Sequence, residues 1–533
     1  MKKYFKDKYD IIIIGASLSG ISAALTLGTK RFNILVLEQH NLPGGVATSY
    51  VREGVELEAS LHEMMGVGSK EYPLPVRKFL EDNGIMVDWI RIDEAYNLVT
   101  PTLDVSIRSG VDGDFSPCIQ SILEGTGNQD NIELRDKLAS FFKLCRTVSD
   151  DIDQLLGVEL EKEKALFAHP DYYLTLGRTS LDVINSFGFP KEINDILSAY
   201  WIYLGSPLDE LPFSIYATIL NGYLGYGAYL PRHTSFEMAS KMAEKAASKG
   251  VQIEYAVRVS KILVENQKIK GVRLEDGTII EADYVISGAY ANTVYQSMIE
   301  PKSECNTKMT QINNSHQVGV SCFSVILVLD KCPKDLNINH YVTFYSLNDF
   351  SSRKQYDNMA GLDNWDYLTS ACTTLLEDPN SNHTVYSINV LPQINAFDNV
   401  NLFDYYKVKN ELAKKLIEIE SKRLGVNLFD HIITMEVETP VAVNQYTGAY
   451  KGAIYGYRHT MKDHLVARSI VGGENIIDGL FFSGSQQLIG DGMAPAIYNG
   501  RIAAKELIGS YIKKRREQRK WLNPFLKMLW VMR

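Results

Sequence analysis

Residues 9–20 read Tyr9-Asp10-Ile11-Ile12-Ile13-Ile14-Gly15-Ala16-Ser17-Leu18-Ser19-Gly20. The isoleucine run suits a parallel strand covered on both faces. Gly15 permits a tight turn, and Gly20 lets a following helix pack closely on that strand. That helix is the small-residue stretch Ile21-Ser22-Ala23-Ala24-Leu25-Thr26-Leu27. A second strand, Asn33-Ile34-Leu35-Val36-Leu37, ends in Glu38. This strand–turn–helix–strand order is that of a dinucleotide fold. The N–H groups at the helix start, around Leu18 and Ser19, offer positive dipole to a pyrophosphate. Glu38 is placed to accept hydrogen bonds from a ribose diol. Ser17 stands where the glycine fingerprint has its second glycine, and its hydroxyl is small enough to donate to phosphate.

Moving outward, Asn41-Leu42-Pro43-Gly44-Gly45-Val46-Ala47 follows. The run Ile11–Thr48 resembles the N-terminal FAD motif of the phytoene desaturase, carotenoid isomerase and retinol saturase superfamily. Amine oxidases and Rab GDP-dissociation inhibitors are its more distant relatives. The resemblance implies FAD as cofactor, with Gly45 and Val46 meeting the phosphates through their backbone. In the family an arginine usually follows the Gly-Gly pair; here that position is Val46. Two further blocks resemble the family. The first runs from Tyr226-Gly227-Ala228-Tyr229-Leu230-Pro231-Arg232-His233 through a helix at Ser235–Lys249 ended by Gly250. Strands at Val251–Tyr255 and Val257–Val264 and a hairpin turn at Asp276-Gly277 follow. There the resemblance assigns the adenine contact to the backbone of Val259. The second block, Asp478–Ser485 then Gly490-Asp491-Gly492-Met493, is an apolar strand, a glycine loop and a small-residue helix. The resemblance puts Gly484 and the Met493 N–H at the flavin end. Asp491 either reaches ribityl hydroxyls or caps the helix.

The expected fold class is α/β. A Rossmann-type FAD-binding domain, glutathione-reductase-like or amine-oxidase-like, carries an inserted mixed α+β substrate domain. The FAD segments are 1–70, 226–300 and 466–510, the substrate domain 71–225 and 301–465, and the tail 511–533. Aromatic runs mark the insert: Tyr172-Tyr173, Tyr200-Trp201-Ile202-Tyr203 and Tyr223–Tyr229. Strands are predicted at Ser321–Leu329 and Thr384–Pro392. Lys451-Gly452-Ala453-Ile454-Tyr455-Gly456-Tyr457 is similar to an element of the polyene-modifying branch. His62, in Glu58-Ala59-Ser60-Leu61-His62-Glu63, is the catalytic candidate, since in the family this stretch borders the flavin. It reads either as a proton donor or acceptor or as a hydrogen-bonded structural histidine.

Composition narrows the classes. The chain has 533 residues, 45% hydrophobic and 22% charged, which is ordinary for a globular protein of two or three domains. A net charge of −9 argues against a general nucleic-acid binder. The six cysteines form no CxxC pair and no zinc spacing with histidine, so no metal is expected. The start of the chain lacks a signal-peptide pattern and no run of 18 apolar residues occurs, so a cytoplasmic protein is expected. The end differs: from Lys505 to Arg533 nine basic residues face two acidic ones, and Trp521, Leu522, Phe525, Leu526, Leu529 and Trp530 share a helical face. That pattern predicts peripheral association with the inner face of a membrane, or packing on the protein itself or a second subunit. Asn523-Pro524 is expected to start its last turns. The resemblance implies a lipophilic substrate, carotenoid- or retinoid-like, desaturated or saturated at carbon–carbon bonds. A flavin-dependent isomerase or hydratase and a non-catalytic lipid escort are the other readings. No second glycine fingerprint for NAD(P) is visible, which points to an external electron carrier or to a non-redox use of reduced flavin.

Overall fold

The computed structural model describes residues 5–28, 31–60, 62–155, 168–305, 307–463, 477–487, 489–490 and 492–531, with the backbone course alone at 155 and 518–531. Asp491 and the side chains after Glu517 therefore lie outside the described residues. The chain divides into two compact units, 1–45, 239–315 and 472–533 in one and 46–238 and 316–471 in the other.

In the first unit, Lys8–Ile14 is a central strand, with Ile11, Ile12 and Ile13 fully buried. It pairs in parallel with Ile34–Leu37 on one side and Ile279–Ser287 on the other. Gln252–Glu254 and Leu480–Phe482 extend the parallel set outward. These five parallel strands are the Rossmann-type part, buried as such sheets must be. The front half of Ile279–Ser287 turns antiparallel to Lys268–Leu274, which pairs with Val259–Glu265. The Asp276-Gly277 turn forms as read: Gly277 has φ +88 and the Asp276 carboxylate accepts the Thr278 N–H at 2.9 Å. A second hairpin turns at Asn266-Gln267, both with positive φ. No glycine announces it. The Glu304 carboxylate accepts both N–H groups, at 3.1 and 2.8 Å, and supports the strained pair.

Leu18–Leu27 is the first helix, and Met493–Val531 is the last. A Cβ on Gly500 would lie 2.0 Å from the Ser19 carbonyl oxygen, so the two helices touch backbone to backbone. Ser22 Oγ donates to the Ile497 carbonyl across that contact at 2.7 Å. The last helix runs through Asn523-Pro524, so this pair does not start a separate segment as expected. Before it leaves the described side chains, Tyr511 meets Phe32 edge-on and Lys514 pairs with Asp478 at 2.6 Å. Tyr511 and Lys514 therefore pack with the first unit.

The second unit holds a seven-stranded sheet in the order Ile432–Glu438, Phe323–Leu329, Thr384–Val390, Tyr367–Cys372, Val342–Ser346, Glu94–Val99, Asp104–Arg108. It is antiparallel except where Val342–Ser346 meets Glu94–Val99. Helices Ile132–Leu155, Lys191–Ser198 and Phe213–Leu220 belong to the same unit. Residues 46–70 and 226–238 fall here rather than with the first unit. The reason is local: Leu57 of the hairpin Ser49–Glu58 buries against Ile326 and Val328, and Ala228–Pro231 pairs with Trp89–Ile92. Among the described residues no helix is long and apolar enough to cross a membrane.

Candidate functional site

The first strand ends at Ile14, and Gly15 turns the chain with φ +97 in open space; its need for glycine is conformational. Gly20 needs glycine for room, since a Cβ there would sit 2.0 Å from the Gly15 carbonyl oxygen. Ser17 caps the helix, its Oγ facing the Gly20 N–H at 3.5 Å and the Ser19 hydroxyl at 3.0 Å. A Cβ on Gly45 would lie 3.2 Å from the Ser17 Cβ, and Gly44 bridges to Ser17. A serine thus fits the second fingerprint position because Gly45 leaves it space. Leu18 and Ser19 are buried at the helix start.

Glu38 is 5% exposed, and its carboxylate ties two turns together. One oxygen accepts the Ala16 N–H at 2.7 Å, the other the His40 N–H at 2.9 Å. The Glu38 carbonyl accepts the Val257 N–H, which places the strand starting at Val259 beside it. Val259 is buried in the same core as Leu35 and Leu37.

Gly288 joins the first and third motifs. Its N–H donates to the Ile14 carbonyl, and a Cβ there would lie 3.7 Å from Ser17 Oγ and 4.0 Å from Ser483 Oγ. A Cβ on Gly484 would in turn lie 2.9 Å from the Gly288 carbonyl. Gly15, Ser17, Leu18, Ser19, Gly20, Glu38, Gly45, Val259 and Gly484 are thereby gathered in one unit at the strand ends, where doubly wound folds bind nucleotides. Met493 begins the last helix after Gly492, whose φ is +104. Val46 belongs to the second unit and is 45% exposed. Asn499 was not legible as a site residue. It is 1% exposed, donates to the Gly490 carbonyl at 2.9 Å and accepts the Ile489 N–H at 3.2 Å, clamping the glycine loop.

The residues present fit FAD. A glycine cradle stands at a helix N-terminus, and the buried Ser483 hydroxyl has no partner among the described residues.

In the second unit, His62 lines a cleft with Glu58, Ser324, Ile326, Thr373 and Ser387. Its carbonyl accepts the Tyr341 hydroxyl. Burial lowers its imidazole to about 4, so the ring is neutral at pH 7. His316 pairs with Asp463 at 2.7 Å and stacks on Tyr457. The aromatic runs of the insert converge: Tyr200 packs on Tyr96, Tyr223, Tyr203 and Phe344 with ring centroids 5.0 to 5.5 Å apart. Glu63 lies among these rings, buried, a residue whose sequence context showed no sign of it.

A Rossmann-type sheet with three convergent glycine segments and an inserted α+β unit defines a flavoprotein oxidoreductase. The chain belongs to the flavin-containing amine oxidoreductase family, whose profile matches residues 18–360. Its curated relatives include prolycopene isomerase of Daucus carota, 24% identical over 93% of this chain and 79% of that protein. They include 4,4'-diaponeurosporene oxygenase of Staphylococcus haemolyticus, 24% identical over 93% and 96%. All-trans-retinol 13,14-reductase of Homo sapiens is 21% identical over 94% and 86%. Among solved structures, cyclohexylamine oxidase from Brevibacterium oxydans superposes with a TM-score of 0.58 at 13% identity, covering 94% of this chain and 98% of that one. The protein is an FAD-dependent oxidoreductase of the phytoene desaturase, carotenoid isomerase and retinol saturase superfamily. FAD, when bound, supplies two-electron transfer, and the chain supplies binding, orientation and a dry surrounding.

Proposed function

We propose that this chain oxidises or reduces carbon–carbon bonds of a lipophilic polyene, carotenoid- or retinoid-like. The observation that carries the reading is the near end-to-end match to relatives named for prolycopene, diaponeurosporene and retinol. The aromatic interior of the second unit supports it, because stacked rings suit a conjugated chain better than a charged substrate.

Within that reading Gly15, Ser17, Leu18, Ser19 and Gly20 take the pyrophosphate, Glu38 the ribose, and Gly45 and Val46 a phosphate. The backbone of Val259 takes the adenine; Gly484, Met493 and Asp491 take the flavin end. His62, neutral at pH 7, takes up the proton released at the polyene in desaturation, and its protonated form returns one in saturation. Electrons are exchanged with an external carrier, and the C-terminal tail rests on a membrane surface.

The test uses purified FAD-loaded protein, photoreduced without oxygen and mixed with a polyene of known double-bond count. Reoxidation of the flavin in step with the loss of one double bond, or reduction of the oxidised flavin in a parallel mixing in step with the gain of one, is expected. Formation of a geometric isomer with the flavin still reduced would overturn the redox reading.

A further inference from the structure

Glu63 follows His62 and precedes Met64-Met65, in a stretch otherwise poor in charge. The backbone around it is pinned at three successive residues. Tyr341 donates to the His62 carbonyl, Tyr223 donates to the Glu63 carbonyl at 3.4 Å, and Met64 exchanges both backbone bonds with Tyr229 at 3.1 and 3.0 Å. The direction of the Glu63 side chain is therefore fixed. It is 7% exposed, and among the described residues neither carboxyl oxygen has a partner in hydrogen-bond geometry. The Tyr203 and Tyr200 hydroxyls are the polar groups that act on the carboxyl, both opposing the effect of burial, and the Tyr203 hydroxyl has no partner in hydrogen-bond geometry among the described residues. Among the described residues no lysine, arginine or histidine contributes to its electrostatic environment. Five tyrosines lie within its electrostatic reach instead: Tyr96, Tyr200, Tyr203, Tyr223 and Tyr341.

A carboxyl desolvated in this way weakens the fold unless something uses it, and leucine would fill the place without that penalty. Burial pushes its pKa well above the usual range and so favours the neutral acid. A neutral carboxyl presents one O–H donor and one carbonyl acceptor, and the Tyr203 hydroxyl adds a third polar atom. That set is matched by an alcohol or a carbonyl; a phosphate needs cations, which are missing around the carboxyl.

We propose that Glu63, with Tyr203, is a specificity-determining site in the aromatic interior, hydrogen-bonding a neutral oxygen group on an otherwise apolar polyene. This rests on the polyene reading above and narrows it to oxygen-bearing polyenes. A site built to bond such a group discriminates strongly against an analogue that lacks it, because its own polar atoms are then left unpaired.

The test is equilibrium binding to the FAD-loaded full chain, followed by quenching of tryptophan fluorescence. The probes are all-trans-retinol and the hydrocarbon of equal length in which hydrogen replaces the hydroxyl. Wild type is expected to bind the alcohol at least tenfold tighter. Glu63→Leu should bring the two affinities together and melt no lower than wild type, while Tyr203→Phe should cut the preference several-fold with Glu63 in place. Equal binding of both probes by wild type, or an unchanged preference in both variants, overturns the role of Glu63 and leaves the polyene reading standing. Binding of neither probe overturns the polyene reading and this inference with it.

Discussion

Glu38→Ala tests the first unit at its most connected point. The carboxylate holds the glycine turn through Ala16 and the following loop through His40, at 2.7 and 2.9 Å. At 5% exposure, water does not replace it freely. Two buried donors left without acceptors cost about 1–3 kcal/mol each, so the cofactor-free first unit should lose roughly 2–6 kcal/mol. The proposed ribose contact adds about 1.5–3 kcal/mol on binding, about 10- to 150-fold in FAD affinity. The two effects separate experimentally. Thermal melting of protein stripped of flavin reads the first; FAD titration followed by flavin fluorescence reads the second. Glu38→Gln, which keeps one acceptor but turns an NH2 toward the other donor, should fall between alanine and wild type in affinity. A lowered melt with unchanged FAD affinity would refute the ribose contact alone. If both stay at wild-type values, the structural account of Glu38 fails as well.

Other expectations are briefer. Gly20→Ala places a methyl 2.0 Å from the Gly15 carbonyl oxygen, so the helix start must lift from the strand at about 1–3 kcal/mol; purification with full flavin content would contradict the close approach. Glu438 is raised from 4.5 to about 7 by burial, with Glu436 and Glu58 adding to the shift and the Tyr50 hydroxyl opposing it. The folded state thus keeps a proton that the unfolded state releases. This group's contribution is fullest below about pH 4.5 and falls by roughly 3 kcal/mol as the pH rises through 7. Glu438→Gln should flatten the loss of stability between pH 5 and 8 in denaturant melts, and parallel curves for the two proteins would rule that out. Ending the chain after Glu517 preserves the Phe32–Tyr511 and Lys514–Asp478 contacts but removes four basic residues, each worth about 1 kcal/mol at an anionic surface. The shortened protein should keep FAD and leave anionic vesicles in flotation; co-flotation equal to that of the full chain would dismiss the tail as an anchor.

What was legible in the sequence was what short-range backbone geometry dictates. Gly15, Gly20 and Asp276-Gly277 announce positive φ or close approach by residue type, and the structure places them as read. The Asn266-Gln267 turn hid because its support is Glu304, well along the chain. Asn499 and Glu63 hid for a related reason: in sequence an amide or a carboxyl reads as surface, and only tertiary packing shows each to be buried. The segment 46–70 carries FAD-motif residues yet folds with the second unit, because the apolar side of Leu57 is satisfied by the sheet around Ile326. A motif's function and its packing partner need not lie in the same unit.

The backbone contact between the first and last helices has a consequence for biosynthesis. Ser22 waits for Ile497, a partner 475 residues downstream. At ribosomal rates of about 5–20 residues per second, that is roughly 24 to 95 s of elongation. Throughout, the all-isoleucine strand at Ile11–Ile14 has at most Ile34–Leu37 to pair with until Ile279–Ser287 emerges, and its helix stays uncovered for longer. Such a strand is the kind that nascent-chain chaperones bind and that aggregates when they do not. The nucleotide motif at the start of the chain is therefore not a separable module. A fragment ending anywhere before Gly500 carries the recognisable fingerprint, yet it lacks the helix that closes the fold over it.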